Sequence, residues 1–345
     1  MILTHILDSW TRLEDRDSLV YSWSIIVGGF GAPLFLFLAG VAVSLSAGSK
    51  ARRSGDPAAA AHAVTKRGLE IFGLAFLFRL QATIVSWGAW RSLLKVDILN
   101  IMGPAIMASA GLWRLGRTLG GRILALSLAT VAIAFTTPVV RGIDALAGLP
   151  DPLEGYLRPI PGLTNFVFFP WAAFVCGGAV VGVLVDAART YESERRLNFW
   201  LAVAGPSLAV GAYAASYLPT PYDQSNFWTS SPAFFLLRTG IMITGVPLAY
   251  VWQQRPAGLS RFSPLQQMGR TSLFIYWIHI ELIYGLMVRP LHKSLPLGQA
   301  WVGVVIFCVL MLLLSLLKDR LLARWRRSGF RLSTFDFRPE GRYKT

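Results

Sequence analysis

Two cysteines in 345 residues leave no basis for a disulfide framework or a thiolate metal centre. Cys176 and Cys308 both fall inside apolar runs, with no CxxC pair and no metal-ligand spacing, so they read as small buried side chains and no metal is expected. Charge is scarce as well. Only 15% of residues are charged against 54% hydrophobic, which lies outside the usual range of a soluble domain. The common soluble signatures are missing: no phosphate loop, HExxH, GxSxG or calcium loop occurs. GGFGAP at 28–33 resembles part of a dinucleotide fingerprint, but it lacks the third glycine and enters an apolar run. It reads as close helix packing. No large soluble domain interrupts the chain, whose longest polar stretches are the 139–164 loop and a basic tail from Lys318.

What the chain does have is long apolar runs. A bilayer-spanning helix needs about 20 apolar residues, and nine such segments follow a short apolar stub: 24–47, 68–87, 97–113, 122–138, 165–187, 198–216, 232–253, 271–288 and 298–317. The expected fold is therefore all-α, a polytopic integral membrane helical bundle of about ten transmembrane helices with the first one shortened. The membrane-embedded domain is expected over 1–317 and a basic cytoplasmic tail over 318–345. Of the 33 Lys and Arg, 23 lie in one alternate set of loops plus the tail. Cytoplasmic loops carry that excess, so the tail is expected inside. The net charge of +15 then reflects topology and anionic lipid headgroups, and no nucleic-acid partner is expected.

Ionisable residues at membrane depth are costly and usually face a cavity or a partner. On this topology His5, Asp8, Arg79, Asp97, Asn100, Asn165, Arg238, His279 and Glu281 all fall between the midplane and the outer surface, whereas Glu70 sits near the inner end beside Lys66 and Arg67. His5 and Asp8 are three residues apart, so a helix presents both on one face. A carboxylate beside an imidazole can fix its tautomer and raise its basicity, as general bases require. The same step recurs at Asp97 and Asn100.

One internal echo stands out. PLFLFLAGVAV from Pro33 and PWAAFVCGGAV from Pro170 share P-x3-F-x2-G-x-A-V, on helices that run in the same direction. Duplicated halves occur in transporters, but over eleven positions of low-complexity membrane sequence chance or shared packing needs account for the echo better. A secondary transporter or flippase with proton-relay residues is accordingly the second reading of the function. Small-residue faces such as Gly28 to Ala32 suit a homodimer and internal packing alike.

MILTHILDSW, followed in order by FGAPLFLFLAGVAVSLS, KRGLEIFGLAFLFRLQ, VDILNIMGPAI, FVFFPWAAFVCGGAVVG, SSPAFFLLRTG and GRTSLFIYWIHIELIYG, resembles the heparan-alpha-glucosaminide N-acetyltransferase family, part of the wider transmembrane acyltransferase superfamily. The resemblance implies a membrane-embedded acyltransferase that moves an acetyl group from cytoplasmic acetyl-CoA to an amino sugar or glycan hydroxyl on the outer side. It implies His5 as the catalytic residue, with Asp8 orienting it. Arg79, Asn100, Arg238 and His279 are the donors placed by depth to meet the developing thioester oxyanion, and Asp97 belongs to the same polar cluster. The CoA phosphates would favour Lys66, Arg67, Arg114 and Arg117 on the inner loops. Relatives carry a longer lead ahead of this histidine, so a further segment before Met1 is expected. The compact chain suits a bacterial inner (plasma) membrane, with its C-terminus in the cytoplasm.

Overall fold

The computed structural model describes residues 1–85, 89–254 and 262–327. The rest of the expected loops and tail, 86–88, 255–261 and 328–345, lie outside the described residues. Thirteen α-helices make up the described chain: α1 (Ile2–Trp10), α2 (Leu19–Gly28), α3 (Gly31–Ser54), α4 (Pro57–Val85), α5 (Ile98–Leu115), α6 (Leu119–Arg141), α7 (Asp151–Leu157), α8 (Phe168–Ala187), α9 (Tyr191–Ala215), α10 (Pro232–Gln253), α11 (Pro264–Arg270), α12 (Ser272–Tyr284) and α13 (Leu297–Arg327). Only two isolated β-bridges occur among the described residues.

Among the described residues, eight stretches are long and apolar enough to cross a bilayer, the first of them Leu19–Ser54 and the last Leu297–Trp325. They recover eight of the nine expected segments, and the polytopic all-helical class is as read from hydropathy. The exception is 271–288. Its helix, α12, has 13 residues, or about 20 Å at 1.5 Å per residue. Thr271, at φ −109° and ψ 18°, separates it from α11, and the backbone turns extended at Gly285. A Cβ on Gly285 would strike the Glu281 carbonyl. Hydropathy averages over such breaks.

The chain forms two units, residues 1–29 with 256–345 and residues 30–255. In the first, α1 packs on α13, α2 and α12. Ile2, Ile6 and Trp10 recur at four-residue spacing and form one buried face, joined by Ile283, Val304, Phe307 and Met311. Gly28 ends α2 against Thr4, where a Cβ would collide. This is the close packing expected of GGFGAP. A short parallel bridge between Thr11 and Leu295 fastens the end of α1 to the approach to α13, with Arg12 N donating to the Leu295 carbonyl at 2.9 Å and Leu295 N to the Trp10 carbonyl at 2.9 Å. The Asp15 carboxylate then accepts from the Leu297 amide at 2.7 Å, at the first residue of α13.

The second unit is a bundle held by glycines. The parallel pair α3 and α8 meet so closely that a Cβ on Gly40 would enter the Val175 carbonyl and one on Gly178 the Phe37 carbonyl. Gly68 against Gly103 does the same for the antiparallel α4 and α5, and Gly205 against Gly240 for α9 and α10. Between membrane helices this backbone approach supplies the dispersion contact that burial supplies in water. The echo from Pro33 and Pro170 is thus a packing feature: its two copies face each other, and both prolines sit in the first helical turn, where a missing amide costs nothing. Arg52 and Asp186 close the far end of the pair with two hydrogen bonds of 2.7 and 2.9 Å.

Gly178→Ala should lower the unfolding temperature in detergent, equivalent to about 1–3 kcal/mol of overpacking. Gly177→Ala should leave it nearly unchanged, because its Cβ would meet only Thr130, at 3.5 Å. Equal effects would contradict the close contact. Asp15 supplies a pH test. Its hydrogen bonds from Arg12 and from the Leu297 amide hold the carboxyl below the usual carboxylate range. A depressed carboxylate contributes stability that is present above its unfolded pKa and lost as pH falls through the folded one. Wild-type stability should therefore fall further on acidification below about pH 4 than that of Asp15→Asn, and parallel curves would show that the contact contributes nothing.

Candidate active site

α1 carries His5 and Asp8 on the edge away from its buried face, with Asp8 exposed and His5 half-buried. Their link is indirect. The Tyr284 hydroxyl at the end of α12 stands between them, 3.1 Å from His5 Nδ1 and 3.5 Å from Asp8 Oδ2, to which it donates. A tyrosine has one proton to give. With that proton directed at Asp8, its oxygen accepts from His5 Nδ1–H, and the lone pair of the imidazole is left on Nε2. This is the tautomer a general base needs. Arg16 holds the other side of Asp8 with its Nη1 3.6 Å from Oδ1, and also donates to the Asp8 carbonyl.

His279 completes the group. Its ring centroid is 5.3 Å from that of His5, and it is 1% exposed. Nδ1–H donates to the Ile275 carbonyl at 2.7 Å, one helical turn back. The neutral ring therefore offers an acceptor at Nε2, which is buried and has no hydrogen-bond partner. An oxyanion would need a donor there, so the geometry gives His279 the opposite polarity to the one its depth suggested. α1 is held in place by the same neighbour: Trp10 Nε1 and Ser9 Oγ both donate to the Ile283 carbonyl, at 3.3 and 3.5 Å. Ser9 Oγ also lies 3.3 Å from His292 Nδ1.

The remaining members of the expected polar cluster belong to the second unit, each with its own local setting. Arg79 is ion-paired to Asp97. Asp97 N-caps α5 by accepting from the Ile98 amide at 3.0 Å, and Asn100 Oδ1 returns the bond from the Asp97 amide at 3.0 Å, forming a capping box. Asn100 Nδ2 donates to Tyr156 at 3.3 Å. The three-residue step repeated at these positions is thus used to start a helix. Arg238 lines a cavity with Arg141 and Asn165.

Among the CoA-phosphate candidates, Lys66, Arg114 and Arg117 are exposed, and Arg67 pairs with Glu70 at 3.1 Å. No group of three His, Cys, Asp or Glu that could hold a metal occurs among the described residues. Tyr284, Arg16, His292 and Arg141 were not singled out by sequence. Only Tyr284 left a signal, as a hydroxyl in the outer half of the run that contains His279.

Comparison with protein families gives a match over residues 1–218 to the family described as heparan-alpha-glucosaminide N-acetyltransferase, catalytic. The match covers more than half of the chain and takes in His5, Asp8 and every helix from α1 to α9. A search of curated proteins finds no match. Apolar helices long enough to span a bilayer make the chain a polytopic membrane protein, and the match over residues 1–218 places it in the heparan-alpha-glucosaminide N-acetyltransferase family.

Proposed function

We propose that this protein is an acetyl-CoA-dependent acyltransferase that passes an acetyl group from the cytoplasmic side of the membrane to an amino sugar or glycan hydroxyl on the outer side, with His5 as general base. The observation that carries the proposal is the chain His5 Nδ1, Tyr284 hydroxyl, Asp8 carboxylate, with contacts of 3.1 and 3.5 Å. Family membership supports acetyl transfer as the reaction.

The chemistry follows from the tautomer. A protonated amine is no nucleophile and a hydroxyl is a weak one, so the acceptor must lose a proton as it attacks the thioester carbonyl. Nε2 of His5 takes that proton, the C–S bond breaks, and the CoA thiolate leaves and is protonated in turn. Tyr284 and Asp8 stabilise the imidazolium that forms between these events. The unpartnered Nε2 of His279 beside His5 is suited to accept a second N–H or O–H from the acceptor. Lys66, Arg114 and Arg117 are exposed and free to meet the CoA phosphates, with Arg67 held by Glu70. The Lys and Arg excess in alternate loops supports a cytoplasmic C-terminus, and the reading places the protein in a bacterial inner (plasma) membrane. The bilayer and the acceptor glycan are the partners this reading requires.

The test is CoA release and acetylated product from labelled acetyl-CoA and a panel of amino sugars. His5→Ala should lose about 10²–10⁴-fold in kcat with an unchanged unfolding temperature. Turnover equal to wild type would remove His5 from the chemistry. Tyr284→Phe should lower kcat by less, leave KM near wild type, and shift the pH profile of kcat, because the imidazolium loses its link to Asp8. An unchanged profile would make Tyr284 a packing residue only.

A further inference from the structure

The second unit contains a cavity of about 190 Å³, apart from the His5 group of the first unit. One water needs roughly 10–15 Å³, so this space takes something larger. It forms where the end of α6 and the starts of α8 and α10 meet the loop that carries Asn165. On the charge-derived topology all three helix ends are on the outer side.

Two arginines line it. Arg141 is anchored on one edge, with Nε and Nη2 donating to the Phe169 carbonyl at 3.2 and 2.8 Å. Arg238 lies over the Phe234 ring at 4.0 Å from its centroid, and its Nε is buried without a hydrogen-bond partner. Among the described residues no carboxylate lies within ion-pair distance of either one, whereas Arg52, Arg79 and Arg158 in the same unit are each paired with an aspartate or glutamate. An arginine withdrawn from water without a counter-charge is costly. Two of them on one cavity call for an anion. The other walls include Trp171, Trp228 and Phe166, apolar faces of the kind that receive a ring or an acyl stem, and Asn165 and Ser231 supply hydrogen-bonding groups.

We propose that this cavity binds a ligand bearing an oxyanion, a carboxylate or phosphate, which sits between Arg141 and Arg238 with its less polar part against the tryptophans. The ligand is either a soluble acidic sugar or inorganic anion, or the headgroup of an anionic phospholipid. The chemistry is the same and the source differs. The site concerns binding and stands independently of the reaction at His5.

The experiment measures the unfolding temperature and apparent affinity of the full detergent-purified chain at constant ionic strength. Glucuronate and inorganic phosphate are titrated, with glucose as the neutral control. In parallel, nanodiscs of phosphatidylglycerol are compared with nanodiscs of phosphatidylcholine. At least one anionic probe should stabilise the protein saturably while glucose does not, and the arm that responds identifies the source. Arg238→Gln and Arg141→Gln should each weaken that response by about tenfold or more, as expected for one charge-assisted contact. Arg53→Gln, the same charge change at an exposed position on α3, should not. Because Arg238→Gln also gives up the contact with the Phe234 ring, its response is read against its own unfolding temperature without ligand. If that variant fails to fold, Arg141→Gln carries the test. No saturable stabilisation by any anionic probe, or an equal response in the arginine variants, would overturn the proposal.

Discussion

A nine-residue helix does not hold its shape alone, because nucleation fixes several residues for the first hydrogen bond and so short a segment cannot recover that cost. α1 is therefore a helix only because its Ile2, Ile6 and Trp10 face is packed in the first unit and because Trp10 and Ser9 both reach the Ile283 carbonyl. Everything proposed for His5 depends on that docking. The same segment of α12 that receives Trp10 ends in Tyr284, so the contact that positions the helix also brings the tyrosine between His5 and Asp8.

The second constraint is the cost of polar groups at membrane depth. Most are neutralised locally: Arg79 by Asp97, Asn100 by the Asp97 amide and Tyr156, and Arg158 by Glu154. These arrangements build helix starts and loop anchors. Among the buried polar atoms without a hydrogen-bond partner in the described residues, two stand at a candidate site: Nε2 of His279 beside His5 and Nε of Arg238 in its cavity. One is a lone pair that wants a donor and the other a cation that wants an anion. Each suits a different ligand chemistry.

Much of this was legible in the sequence because it rests on local rules. Apolar runs of bilayer length located eight helices, and the i, i+3 step put His5 and Asp8 on one edge. The glycine-rich echo marked a pair of helices that pack by their backbones. The rest depended on contacts distant in sequence. Asp8 reaches His5 through a tyrosine 276 residues away, and no local pattern reports that. The break at Thr271 and Gly285 is invisible to an averaged hydropathy. Arg141 sits at the edge of an apolar run, where hydropathy reads a loop, although its guanidinium is fixed by the Phe169 carbonyl. The D-x-x-N of Asp97 and Asn100 was readable as a helix cap from spacing alone.

In the proposed reaction His5 meets the acceptor on one face of the membrane while the acetyl donor is supplied from the other. Sealed proteoliposomes with a defined protein orientation test it most directly, with labelled acetyl-CoA on the face that carries the C-terminus and glucosamine confined to the opposite face. N-acetylglucosamine should appear on the glucosamine side, formed with stoichiometric CoA on the donor side and absent with His5→Ala. Product that forms only when donor and acceptor share a compartment, or that is unaffected by His5→Ala, would contradict it.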